Sequence, residues 1–162
     1  MNPAPDVFDA LNSLGIAYER FEHPPVFTSE EADVHWRDLP GVPCKNLFLR
    51  NKKGDRHYLV VLEISKRADL KQIVSIVDDD RLSFGSPERL MAELGLTPGS
   101  VSPFGLLNDR DGSVLVLIDE DLRGARGLIF HPNINTASVV ISWDGFERFL
   151  QTRTNAVRYI RI

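Results

Sequence analysis

Cysteine is almost missing from this chain. Cys44 stands alone among 162 residues, so no internal disulfide can form, a composition that fits a reducing cytoplasm. Long apolar runs are missing as well. No stretch approaches the roughly 20 residues that a membrane-spanning helix requires. The start Met1-Asn2-Pro3-Ala4-Pro5-Asp6 has no basic segment followed by an apolar one, so no secretory leader is expected. Nor is there a basic excess. The net charge of −4 argues against non-specific binding to nucleic acid through many phosphate contacts, and leaves room only for a local basic patch. Repeats, low-complexity tracts and long linkers are also absent.

Several catalytic signatures are lacking. No Gly-x-Ser-x-Gly elbow marks a serine nucleophile, and no phosphate loop marks an ATP site. His23, His35, His57 and His131 are scattered, with no pair at ligand spacing, so no metal site is expected. Cys44 lies beside Lys45, whose ammonium would lower a thiol pKa. A small buried residue at a strand edge is the plainer reading.

What is present describes a soluble globular protein, with 43% apolar and 26% charged residues. The length suits one domain over residues 1–162. Val7, Leu11 and Leu14 give a helix that stops at Gly15, and Ile16 to Phe21 a short strand. His23-Pro24-Pro25 must be extended. Thr28 with Glu31 starts a helix that runs to about His35. Pro40 to Pro43 is a loop. Lys45 to Arg50 and Tyr58 to Ile64 flank the turn Asn51-Lys52-Lys53-Gly54-Asp55 as a hairpin. A helix follows over Asp69 to Val77, and Ser86-Pro87-Glu88 opens another that ends near Gly95. Thr97 to Gly105 is irregular. Strands are expected over Val114–Ile118, Leu128–Phe130, Ala137–Ile141 and Val157–Ile160, with a helix from Ser142 to about Leu150. The fold class is therefore α/β: a mixed, largely antiparallel sheet, curved or barrel-like, with surrounding helices.

Three places carry candidate chemistry. By strand alternation Lys45, Leu47 and Leu49 share one face, and Asn46, Phe48 and Arg50 the other. A lysine on a leucine face either keeps its head in water at the sheet's rim or aims it into a pocket. Gly99-Ser100-Val101-Ser102-Pro103 is either an ordinary turn-rich loop or one where a residue without a side chain lets a ligand approach the backbone, whose N–H groups then bind a carbonyl oxygen. Phe130-His131-Pro132-Asn133 ends a short strand, and its histidine is either an ordinary turn residue or a site residue.

Taken in order, several segments resemble one family. These are Glu22-His23-Pro24-Pro25, a Thr-Ser-Glu-Glu-Ala helix start, Cys44-Lys45-Asn46-Leu47-Phe48-Leu49, Gly99 to Pro103, and Phe130 to Asn133. The chain resembles the YbaK-type deacylases, which are similar to the editing domain of bacterial prolyl-tRNA synthetase. Among them it looks most like the free-standing proteins that hydrolyse Ala-tRNA(Pro). The resemblance runs from about Asp6 to the C-terminus. It implies a curved mixed α/β fold and a cytoplasmic trans-editing hydrolase that uses no metal and no bound cofactor. It implies Lys45 as the essential lysine, with Asn46 beside it. The loop from Gly99 through Ser100 and Val101 to Pro103 would contact the aminoacyl group, and His131 would be the pocket-side histidine. The implied partner is the acceptor end of tRNA(Pro), with prolyl-tRNA synthetase or an elongation factor as further partners, and neither membrane nor DNA.

The reaction implied is hydrolysis of the ester between an amino acid and the terminal ribose. That ester is already activated, so orientation and oxyanion stabilisation suffice without a protein nucleophile. As a charged anchor Lys45 would hold a ribose or phosphate oxygen; as a neutral amine it would be a base. The anchor is the preferred role. Val26, Phe27, Leu47 and Val101 are candidate pocket walls, and Arg50, Lys52, Lys53 and Arg81 candidate tRNA contacts. The competing readings are a deacylase for another substrate such as Cys-tRNA(Pro), a non-catalytic protein that binds tRNA ends, and a small-molecule-binding domain.

Overall fold

In the computed structural model, residues 6–162 are described. The segment Met1–Pro5, on which the leader expectation mainly rests, lies outside them. Each α-helix starts at a residue whose side chain accepts one of the first free N–H groups. Asp6 accepts from Phe8 N at the start of α1 (Val7–Ser13), and Thr28 from Glu31 N at α2 (Ser29–Trp36). Asp69 caps α3 (Leu70–Val77), Ser86 caps α4 (Pro87–Leu94) and Ser142 caps α5 (Trp143–Gln151). The Glu31 carboxylate reaches back to Phe27 N at 2.8 Å, one residue before the expected cap position.

Among the described residues, eight strands form one sheet: β1 (Tyr18–Glu22), β2 (Val42–Asn51), β3 (His57–Glu63), β4 (Leu82–Phe84), β5 (Val114–Asp119), β6 (Leu128–Phe130), β7 (Ala137–Ile141) and β8 (Val157–Ile160). Their order is β1-β7-β6-β2-β3-β5-β8, with β4 paired to β2. The antiparallel majority is narrow. β1–β7, β2–β3, β2–β4 and β6–β7 run antiparallel, whereas β2–β6, β3–β5 and β5–β8 are parallel.

The sheet curves around a single main core. Phe48 and Val61 from one half, and Phe130 and Val139 from the other, pack in one cluster with Leu11 of α1, Leu94 of α4 and Phe146 of α5. On the opposite face, α3 covers Leu49, Tyr58, Val60 and Leu62 through Ile73 and Val77. There too α2 lays Ala32 and Trp36 against Ile129 and Val140. With both faces covered, β3 is buried over six consecutive residues, which is why it reads as an unbroken apolar run rather than an alternating one.

Three local expectations are corrected. Val42 and Pro43, read as loop, belong to β2 and pair with Leu128 and Ile129 of β6. Pro43 lacks an N–H, but its carbonyl still accepts from Ile64 N at 2.9 Å. The three-residue β4 lies where no strand was expected, too short to display a period. The stretch read as irregular contains two 3-10 helices, Pro98–Ser100 and Pro103–Asn108, each with proline in its first turn.

Candidate active site

The site begins as a split in the sheet. On one edge of β2, β6 pairs with Val42 and Pro43, while β4 pairs with Leu49 to Asn51. Residues 44–48 have no strand alongside them on that edge. Phe48 O accepts from Gly85 N at 2.9 Å, so the peptide groups of even-numbered residues point to this side, those of Asn46 included. The loop around Val101 occupies part of the gap, and its carbonyl accepts from Asn46 Nδ2 at 3.4 Å.

A hollow of about 120 Å³ lies at this split. Lys45, Asn46 and Leu47 line it from β2, and Pro98, Gly99 and Val101 from the loop. Val26, Phe27, Ala32 and Trp36 form the wall toward α2, and His131 comes from the end of β6. Segments more than 80 residues apart in sequence thus meet at one place. Lys45 is half-buried and has no ion-pair partner among the described residues. Asn46 Oδ1 is buried without a hydrogen-bond donor, and such an orphan acceptor costs about 1–3 kcal/mol unless a ligand or water meets it.

His131 is 9% exposed. Burial holds its imidazole below the ordinary histidine range; the Ala137 carbonyl works against that shift, and His23 adds to it. Its Nδ1 lies 3.4 Å from Ala137 O, an acceptor, which assigns the proton to Nδ1 and leaves Nε2 as an acceptor. Behind it, His23 Nδ1 donates to Pro24 O at 2.9 Å. Its Nε2 then accepts from the Ser138 hydroxyl at 2.7 Å, and Ser138 Oγ accepts from Trp36 Nε1. This relay fixes the Trp36 indole, whose ring centroid is 5.0 Å from that of His131. Cys44 also touches the hollow, but burial pushes its thiol pKa up, which favours the protonated thiol over a thiolate. Among the described residues, no three of His, Cys, Asp and Glu converge as a metal site would need. None of the described helices is long and apolar enough to cross a membrane.

Comparison with known proteins places the chain in a family. Residues 23–149 match the family model described as the aminoacyl-tRNA editing domain. The chain belongs to the aminoacyl-tRNA editing domain family. The prolyl-tRNA editing protein ProX of Acetoanaerobium sticklandii is 40% identical over 156 residues, covering 96% of this chain and 95% of that protein. The prolyl-tRNA synthetase associated domain-containing protein 1 of Bos taurus is 32% identical over 145 residues, covering 87% of this chain and 84% of that one. Among solved structures, a candidate trans-editing enzyme for prolyl tRNA synthetase superposes with a TM-score of 0.70 at 22% identity, covering 99% of both chains. A hypothetical protein superposes at 0.74 and 16% identity, covering 94% of this chain and 97% of that one. At these identities the two structures speak to the fold alone.

Within this editing domain, the residues singled out in sequence separate into three groups. Lys45, Asn46, Leu47, Gly99, Val101, His131, Val26 and Phe27 all border the hollow. Ser100 and Pro103 do not; they are buried behind the loop and support it. Arg50, Lys52, Lys53 and Arg81 lie toward the far end of β2, with Arg50 about 17 Å from Lys45 at the usual strand rise. Part of that group is engaged locally: Arg50 Nη2 donates to Lys52 O, and Lys53 pairs with Asp55 at 4.0 Å. Sequence reasoning missed Trp36 and Ser138. The i, i+4 pair Ala32 and Trp36 signals a buried face of α2, but nothing in the sequence links Trp36 to a serine 102 residues away.

Proposed function

We propose that this editing domain acts in trans as an aminoacyl-tRNA deacylase on mischarged tRNA(Pro), with Ala-tRNA(Pro) as its preferred substrate. The observation that carries the reading is that Lys45, Gly99 and His131, remote in sequence, border one hollow of about 120 Å³. For scale, an engineered apolar cavity of roughly 150 Å³ binds benzene. A space of this size suits a small aminoacyl group. Relatives named for prolyl-tRNA editing and for association with prolyl-tRNA synthetase support the tRNA(Pro) assignment.

In this reading the aminoacyl group enters the hollow and the ribose stays at its mouth. The Lys45 ammonium, with no carboxylate to neutralise it, anchors a ribose or phosphate oxygen. Asn46 Oδ1 accepts from the α-amino group. Water attacks the ester carbonyl, N–H groups of the Gly99 loop receive the developing oxyanion, and the carbon–oxygen bond to the ribose breaks. The ribose oxygen takes a proton and the amino acid leaves as its acid. His131 Nε2 accepts from the attacking water or the neighbouring ribose hydroxyl and orients it. Val26, Phe27, Trp36 and Val101 limit size by contact, which discriminates against a larger side chain more sharply than a missing methylene does.

The test is a panel of mischarged tRNAs at equal concentration. Amino-acid release from Ala-tRNA(Pro) should exceed that from Cys-tRNA(Pro) and from correctly charged Pro-tRNA(Pro) by at least tenfold. Faster release from Cys-tRNA(Pro) would reassign the substrate. Tight, salt-sensitive tRNA binding without release of any amino acid would make the protein a binder of tRNA ends rather than an enzyme.

A further inference from the structure

We propose that the apolar groove beside the hollow, floored by Phe48 and Gly85 and edged by Phe84 and Pro98, is a nucleobase subsite for the single-stranded acceptor end of the substrate. The inference deepens the proposed function and rests on the reading that the substrate is an aminoacyl-tRNA. Four residues, Asn46, Leu47, Pro98 and Val101, line both the hollow and a groove of about 340 Å³ next to it. The two spaces are therefore neighbours, with the Asn46–Val101 hydrogen bond between two of the residues they share. A hollow of about 120 Å³ that receives an aminoacyl group has no room for the nucleoside esterified to it. The rest of the substrate must lie outside the hollow, and the neighbouring groove has the apolar lining that suits a base.

Its lining is apolar apart from Asn46 and holds no charged side chain. A phosphate gains nothing there, whereas a flat uncharged ring loses water on both sides. Phe84 is 63% exposed, one of the few large apolar side chains left in solvent. Its register explains its direction. Phe84 pairs with Leu49, so it projects from the same face of the sheet as Leu49, Leu47 and Lys45. Lys45 and Leu49 are four residues apart, about 13 Å at the ordinary strand rise. Phe84 thus lies beyond the terminal ribose that Lys45 would hold, within reach of an attached base. Gly85 packs closely on the Phe48 ring: a Cβ there would lie 2.4 Å from it. Aromatic rings at the mouth of a site for single-stranded nucleic acid act as stacking platforms and tolerate any base.

Two measurements test this. The first compares wild type, Phe84→Ala and Phe84→Trp on Ala-tRNA(Pro) and on alanine ethyl ester, which carries no base. Phe84→Ala should raise KM for the tRNA by about 5- to 150-fold, the range one base–aromatic stack supplies. Phe84→Trp should restore it, and ester hydrolysis should be the same in all three proteins. An unchanged KM for the tRNA, or equal losses on both substrates, would overturn the subsite. The second reads binding without turnover, using a single-stranded oligonucleotide ending in CCA. Weaker binding by Phe84→Ala supports the subsite even if wild type hydrolyses nothing, in which case only the deacylase reading fails. Equal binding by both proteins, no binding by wild type, or a change in oligomeric state with oligonucleotide binding intact would overturn it and leave Phe84 a contact for protein.

Discussion

Burial gives His131 a character that its neighbours in sequence do not announce. The buried imidazole is held below the ordinary histidine value near 6.5, mainly by desolvation, and is uncharged at neutral pH. Its folded pKa is depressed, so its contribution to stability is full above about pH 6.5. That contribution falls away as the pH drops through the folded value, where the unfolded chain binds the proton more readily. His57, buried against Phe48, is lowered for the same first reason and adds in the same direction. The urea midpoint of wild type should therefore fall between pH 7 and pH 5, and that of His131→Asn should fall less. Equal falls in the two proteins would contradict the assignment. Lys45 and Asn46 differ from His131 in kind: among the described residues, the Lys45 cation has no ion-pair partner and Asn46 Oδ1 no donor.

At the scale of elements, the split on one edge of β2 explains why residues from both of its faces reach one hollow. Two glycines beside it predict opposite outcomes. A Cβ on Gly99 would meet Phe27, Asn135 and the Val26 carbonyl at 3.5–3.6 Å, ordinary contact distances, so the fold itself does not require glycine there. Gly99→Ala should keep the melting temperature within about 2 °C, less than a 1 kcal/mol change would cause, and lower kcat/KM at least tenfold by narrowing the hollow. Wild-type turnover would remove the loop from the site. Gly85→Ala, at 2.4 Å from the Phe48 ring, should destabilise by about 1–3 kcal/mol through overpacking; a denaturation midpoint equal to wild type would contradict this. Elements marked by a cap or a long apolar run were legible in the sequence: α3 behind Asp69, α4 behind Ser86, and β3 with its continuous burial. Those fixed by a distant partner were not. The pairing of Val42 and Pro43 needs β6, β4 needs β2, and the Trp36–Ser138–His23 relay needs three segments brought together. The candidate site was read mainly from resemblance, since a lysine on a leucine face and a glycine in a loop are each ambiguous by themselves.

Over the whole molecule, a latch away from the hollow holds the parallel half of the sheet together. Lys66 Nζ, just past β3, donates to Asp119 at the end of β5 at 2.6 Å, to Asp121, and to the Ile162 carbonyl at 3.2 Å. Asp119 is fully buried, so Lys66→Ala would strand its charge. Lys66 is 26% exposed and Asp119 keeps the hydrogen bond from Asp121 N, so the loss should be about 1–3 kcal/mol. Urea denaturation should show that loss, with kcat/KM for deacylation unchanged at 25 °C; undiminished stability would contradict the latch. The chemistry proposed at the hollow depends on the Lys45 amine. Single-turnover release of alanine from Ala-tRNA(Pro) by wild type and by Lys45→Ala, with folding checked by circular dichroism, tests this most directly. Rapid release by wild type and at least a hundredfold loss in a folded variant are expected. Release by folded Lys45→Ala at the wild-type rate would contradict that dependence.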